Sequence, residues 1–268
     1  MPPAPAVSKK KSTFKLNGSS TPRGPRVVST PKTALSGSHI VIAANQSKAT
    51  TAVLWLHGFG DGPEGWASEF ASAQSAYPGV HWVLMRAPRL AQTCYGGREG
   101  PAWGDYLDEG CTSVGSSDYD NSDIVSEKVV ADAHALLDNL VLHHGVPPGR
   151  ILVGGFSMGA AAAAEVALRY SGGALGGLMM LNGWLTPRAR AALDRARTLP
   201  ARMLISHGTA DEQVGFDAGE EAARLLRNSA SSADAVAFHS HPGLDHVPSG
   251  FGPGKALALE FVGAAWRT

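Results

Sequence analysis

Cysteine is scarce in this chain. Cys94 and Cys111 are the only two among 268 residues. That is too few for a disulfide framework, and no Cys-x-x-Cys spacing offers a zinc site. A reducing compartment, the cytoplasm, is therefore the expectation. Whether the two cysteines pair within their own stretch of chain stays open on sequence grounds. Excess charge of either sign is lacking as well. The 23 basic and 23 acidic side chains cancel to a formal net charge of zero, which gives no general attraction to nucleic acid or to an acidic membrane surface. Long apolar runs are missing too. The longest candidates, His39–Asn45 and Ala174–Leu185, fall short of the roughly 20 residues that cross a bilayer. No internal repeat is visible. These absences argue against a disulfide-stapled secreted module, a nucleic-acid binder driven by bulk charge, and a protein inserted stably in a membrane.

Acidic residues are also absent from the start of the chain, Asp61 being the first. Residues 1–37 are rich in Pro, Ser, Lys and Arg, with Lys9-Lys10-Lys11 as a small basic cluster. Such a stretch buries little apolar surface and is expected to be a disordered, solvated tail. An acidic-poor leader of this composition is alternatively an organellar transit peptide, and it lacks the apolar segment of a secretory signal. Residues 38–268 are then one domain, long enough to bury a full core.

Within that domain short β-type runs alternate with helix-type runs. Strands are predicted at His39–Ala43, Ala52–Leu56, His81–Met85, Ile151–Phe156, Leu178–Leu181, Arg202–Ser206 and Ala235–Phe238. Several are continuously apolar, the mark of parallel strands covered on both faces. A helix is predicted over Asp120–His144, where Val130, Ala133, Leu137, Leu140 and Val141 recur at helical spacing and Gly145 with Pro147-Pro148 ends it. Asp217–Asn228 and Gly254–Trp266 are predicted helices as well. Strands alternating with helices define the α/β class, here a mainly parallel sheet of about seven strands covered by helices on both faces. Leu90–Asn121 is rich in Gly, Ser and Asp and is expected to be irregular, as a lid or substrate-binding loop would be.

One motif carries chemistry. Gly155-Phe156-Ser157-Met158-Gly159 follows the apolar run Ile151-Leu152-Val153 and precedes the helix-type run Ala160–Val166. Five letters alone mean little in a chain with 32 glycines. The strand–turn–helix context means more, because it holds the serine hydroxyl exposed at the tip of a sharp turn, as in the nucleophile elbow of α/β-hydrolases. A serine needs a base within reach and a third group to orient that base. Asp211, with Glu212 as its neighbouring competitor, follows the strand ending at Ser206. His239, His241 and His246 follow the last strand, and His246, past the Pro242-Gly243 turn, is preferred over His241, the runner-up. The oxyanion formed during acyl transfer needs two backbone N–H groups. Met158 offers one. Phe59, in the loop His57-Gly58-Phe59-Gly60-Asp61-Gly62 after Ala52–Leu56, offers the other. Gly58 and Gly60 let a substrate approach that backbone closely, and His57 reads as a group that fixes the loop. Among large apolar residues near these motifs, Trp66, Met158 and Trp184 fit a groove or the core, whereas Trp103, in a loop, is expected to line an acyl groove.

These motifs together resemble the acyl-protein thioesterases of the phospholipase/carboxylesterase group of α/β-hydrolases, over about residues 50–266. Leu56-His57-Gly58-Phe59-Gly60-Asp61 is similar to the family's oxyanion loop, Arg86-Ala87-Pro88 to the end of its next strand, and Gly155–Ala160 to its elbow. Asn182-Gly183-Trp184-Leu185 resembles its Gly-Trp-Leu, His207-Gly208-x-x-Asp211-x-x-Val214 its acid motif, and Gly243-Leu244-Asp245-His246 its base motif. Met158 after the serine is closer to plant-type members. Pro101-Ala102-Trp103-Gly104-Asp105 departs from the family's Trp-Phe-Asp by Gly104, which alters the loop beside the acyl channel. Pro2 and Pro3 stand where the family carries a lipidated cysteine. The resemblance implies a serine hydrolase that cleaves thioester or ester bonds of acyl groups through Ser157, His246 and Asp211, with Phe59 and Met158 as oxyanion donors. It implies an acylated protein or acyl-ester small molecule as substrate, no cofactor and no metal, and a monomer or weak homodimer. A carboxylesterase or lysophospholipase is the alternative, and a non-catalytic hydrolase-fold receptor a further one.

Overall fold

The computed structural model describes residues 39–45, 49–108, 110, 112–195 and 198–267. The N-terminal tail and Cys111 therefore lie outside the described residues. In chain order the elements are β1 (Ile40–Ile42), β2 (Thr51–Leu56), α1 (Glu64–Ala73), β3 (Val80–Met85), β4 (Arg89–Gln92), β5 (Arg98–Pro101), α2 (Glu127–Leu142), β6 (Ile151–Phe156), α3 (Met158–Arg169), β7 (Gly177–Leu181), α4 (Pro187–Leu193), β8 (Met203–Gly208), α5 (Phe216–Ser229), β9 (Val236–His241), α6 (His246–Ser249) and α7 (Lys255–Arg267).

Seven strands form one sheet in the order β1-β3-β2-β6-β7-β8-β9. β1 pairs antiparallel with β3, and the remaining neighbours are parallel. The pleat separates two cores. Ala52, Leu54 and Leu56 of β2 face one core with residues of α2, α3, α4 and α5. Val53 and Trp55 face the other with Trp66 and Phe70 of α1 and Ala258, Val262 and Ala265 of α7. Because both faces are covered, β2, β3, β6, β7 and β8 are buried along their whole length, which is why their sequences read as continuous apolar runs. The sheet is the mainly parallel, doubly covered one expected of the α/β class.

Three local expectations are corrected. The segment Leu90–Asn121 is not wholly irregular, since β4 and β5 pair as an antiparallel hairpin. The helix expected from Asp120 begins only at Glu127, after a short 3-10 turn at Ser122–Ile124. Asn121 caps that turn by accepting from the Asp123 N–H, and Val125 and Ser126 are extended, so the helical ladder cannot start earlier. β9 runs on through His239 and His241, with much of its length exposed, as an edge strand with one solvated side allows. The helices α1 and α4 had no sequence expectation. Among the described residues no helix is long and apolar enough to cross a membrane.

His81, at the start of β3, is buried, and its ring stands 4.6 Å from that of His144. Burial, with a smaller contribution from the His144 charge, lowers its pKa from 6.5 to about 4. Between those values the unfolded chain binds a proton that the folded chain refuses, so stability falls as pH falls through this window. Denaturant unfolding at pH 7 and pH 4.5 is expected to show that His81→Gln removes about 2.5 kcal/mol of the acid-induced loss. An unchanged pH dependence in the variant would assign that loss to other groups.

Candidate active site

Every part of the site lies just beyond the C-terminal end of a parallel strand. Ser157 follows β6 at φ 58° and ψ −129°, a left-handed φ that costs a non-glycine residue of order 1–3 kcal/mol. The surroundings impose it. The Ser157 N–H donates to the Leu181 carbonyl of β7 at 2.9 Å. Both flanking glycines are needed for close backbone packing. A Cβ on Gly155 would meet the Gly159 carbonyl oxygen at 2.2 Å, and one on Gly159 would meet the carbonyl oxygens of Leu56 and His57 at 2.3 Å. The first turn of α3 therefore lies directly against the end of β2.

The loop after β2 is fastened on several sides. His57 is buried, its Nδ1 lies 2.8 Å from the Gly58 carbonyl oxygen, and its Nε2 accepts from the Ala87 N–H at 3.2 Å. That pattern fits a neutral ring protonated on Nδ1, and burial pushes the His57 pKa down accordingly. The Gly60 N–H donates to the Pro101 carbonyl at 2.9 Å. The N–H groups of Phe59 and Met158, by contrast, donate in none of the turn, loop and cap backbone hydrogen bonds among the described residues. The loop stands beside the serine, because a Cβ on Gly58 would come 3.6 Å from the Ser157 Cβ.

His246 opens the four-residue helix α6, where the Asp245 side chain caps its N–H at 2.6 Å. Its Nε2 lies 2.9 Å from the Ser157 Oγ and its Nδ1 lies 2.6 Å from the Asp211 Oδ2. Asp211 follows β8 in a tight turn in which its Oδ1 accepts from the Gln213 and Val214 N–H groups at 3.0 and 2.9 Å. Its Oδ2 also accepts from Asn182 Nδ2 at 2.7 Å, and His207 Nε2 stands 3.3 Å away. Burial alone would raise the Asp211 pKa, but the hydrogen bonds from His207, His246 and Asn182 outweigh it and hold the carboxyl well below the usual carboxylate range. The arrangement can carry a proton from the serine hydroxyl to an imidazole whose positive form faces a fixed negative charge. His241 stands elsewhere, its Nε2 2.8 Å from the Ser206 Oγ, and Glu212 is exposed.

Ser157 and His246 open into a groove of about 550 Å³ whose lining includes Gly58, Phe59, Gly60, Asp61, Tyr106, Gly110, Phe156, Val214, Val247 and Phe251. Trp103 is not among its lining residues, and the expectation that this tryptophan lines an acyl groove is corrected. It is fully buried, and its indole N–H donates to the His57 carbonyl at 2.7 Å, so it braces the loop from behind. Trp66 and Trp184 are likewise buried in the two cores. Gly104 has no room for a side chain, because a Cβ there would sit 2.3 Å from the Asp123 carbonyl oxygen. Sequence reasoning missed Phe156, Val247 and Phe251 as groove walls, although two of the three adjoin motif residues. It also missed Asn182, His207 and Ser249 as supports.

Sheet order, elbow and site geometry define an α/β-hydrolase. A match to the phospholipase/carboxylesterase family covers residues 38–257, and the chain belongs to that family. It is similar to a probable carboxylesterase of Oryza sativa subsp. japonica, 34% identical over 76% of this chain and 74% of the relative. It is also similar to acyl-protein thioesterase 1 of Debaryomyces hansenii, 29% identical over 78% of this chain and 89% of the relative. Among solved structures, that of Arabidopsis thaliana SOBER1 matches with a TM-score of 0.68 at 26% identity, covering 80% of this chain and 98% of that one. The protein is thus a hydrolase that cleaves acyl esters or thioesters.

Replacing Trp103 with Phe would keep most of the packing but leave the buried His57 carbonyl without its indole donor, a loss of about 1–3 kcal/mol. Thermal unfolding is expected to drop, and ester turnover to fall several-fold with KM little changed. Unaltered kcat would show that the loop does not need this brace.

Proposed function

We propose that this protein is a serine hydrolase that removes acyl groups from thioester- or ester-linked carriers through a covalent acyl-enzyme, with acylated protein as the carrier. Ser157 is the nucleophile, His246 the general base, and Asp211 the group that orients the imidazole and stabilises its charged form. Ser157 attacks the acyl carbonyl while His246 Nε2 takes its proton. The N–H groups of Phe59 and Met158 receive the oxyanion. His246 then protonates the departing thiolate or alkoxide. Water, activated by the same imidazole, releases the acid and restores Ser157. The observation that carries this reading is the contact chain from the Ser157 Oγ to His246 at 2.9 Å and from His246 to Asp211 at 2.6 Å. The acyl-chain part of the reading rests on the groove beside it, with walls that include Phe59, Tyr106, Phe156, Val247 and Phe251. A small-ester carboxylesterase is the second reading. It is favoured by the carboxylesterase name of the rice relative. The scarcity of cysteine supports residence in the cytoplasm as part of the same reading.

Three measurements test it. Ser157→Ala is expected to lose at least about a thousandfold in kcat on p-nitrophenyl esters and all labelling by a fluorophosphonate, and retention of either would remove Ser157 as the nucleophile. Comparing kcat/KM for an S-acylated peptide, a lysophospholipid and a short aryl ester identifies the carrier, and preference for the short ester would replace the thioesterase reading with the carboxylesterase one. Because Asp211 is held ionised far into the acid range, the acid limb of kcat/KM is expected to have a one-proton slope, set by the base alone. A two-proton slope would bring the carboxylate into that limb.

A further inference from the structure

The residues Leu181 and Asn182 touch two members of the proposed catalytic set, Ser157 and Asp211, and reach the third, His246, through Ser249. The Leu181 carbonyl accepts the Ser157 N–H at 2.9 Å. Asn182 Nδ2 donates to the Asp211 Oδ2 at 2.7 Å and to the Ser249 Oγ at 2.6 Å. The Ser249 hydroxyl in turn lies 2.7 Å from the Asp245 carbonyl and 3.1 Å from the His246 carbonyl. Asn182 and Ser249 are fully buried. We propose that the side-chain amide of Asn182 is a positioning group for this reaction, tying the Asp211 carboxylate through Ser249 to the backbone that carries His246.

This inference rests on the catalytic reading above. Two explanations compete for an asparagine at this place. Asn182 has φ 49°, a conformation that asparagine tolerates and glycine adopts without strain. If backbone shape were the whole requirement, glycine would serve as well. The amide does more. The Asp211 Oδ1 is already held by its own turn, through the Gln213 and Val214 N–H groups. The Oδ2 is the oxygen that faces the imidazole, and Asn182 is its second close donor. The titratable groups facing Asp211 are His207 from β8 and His246 from α6. His207 Nε2 is nearer the Val214 carbonyl, at 2.9 Å, than the carboxylate, at 3.3 Å, so it is a poor substitute for the amide. Without Asn182 the carboxylate has one donor fewer and holds the imidazole proton more tightly, while α6 loses its tether to the acid.

Asn182→Gly keeps the backbone conformation and removes only the amide. It is expected to lower kcat about tenfold or more with KM within about twofold of wild type. The acid limb of the kcat/KM profile is expected to rise by about half a pH unit, a shift that a purely structural residue would not cause. Ser249→Ala, which cuts the far half of the bridge, is expected to lose less, and the double variant to be no worse than Asn182→Gly alone. Wild-type kcat and pH profile in Asn182→Gly, with Ser157→Ala inactive, would overturn the inference and leave the catalytic reading standing. Activity in Ser157→Ala would instead sink the catalytic reading itself. If Asn182→Gly does not fold, Ser249→Ala decides: an unchanged kcat and acid limb overturns the proposal, and a loss of kcat with an upward shift supports it.

Discussion

A carboxylate shut away from bulk water is the constraint on which the active end of the sheet depends. Isolated in a protein interior, the charge of Asp211 would cost several kcal/mol. Donors arriving from three strand ends make it tolerable: the imidazole after β9, the amide after β7 and two backbone N–H groups in its own turn. Their convergence fixes more than the charge. Each donor brings its own strand connection into register with the others, so the loops after β7, β8 and β9 share one geometry.

The serine side of the site is held by a different force, the close packing of bare backbone. Gly155 and Gly159 let the start of α3 settle onto the carbonyls that end β2, and a hydrogen bond to β7 holds the strained turn at Ser157. The neutral His57 and the buried Trp103 then fix the loop that faces the serine. One side of the site is thus organised by electrostatics and the other by steric fit. They meet at the contact between Ser157 and His246.

Much of this was legible in the chain. Continuous apolar runs such as Ile151–Phe156 and Leu178–Leu181 identify strands covered on both faces, and glycines two residues either side of Ser157 mark a turn with backbone against backbone. What stayed hidden depends on tertiary context. The spacing of four between Trp66 and Phe70 marks the buried face of α1, but Gly65, Ser68 and Ser72 weaken the local helix signal. The apolar periodicity that identified α2 could not locate its first turn, which Val125 and Ser126 set by being extended. Trp103 lies outside any regular element, and sequence cannot tell a loop aromatic on the surface from one turned inward. Asn182 and Ser249 look like ordinary strand-end and turn residues until the fold brings the Asn182 amide between Asp211 and Ser249.

The order of the chain has a consequence for synthesis. Ser157 precedes His246 by 89 residues, so at about 5–20 residues per second the ribosome makes the serine several seconds or more before the base proposed for it. During that interval the hydroxyl is an ordinary alcohol, unable to attack the acyl thioesters of the surrounding cell. Under the proposed mechanism, reactivity arrives only when α6 docks and brings His246 to Ser157. On that mechanism a nascent chain is chemically silent until α6 is in place.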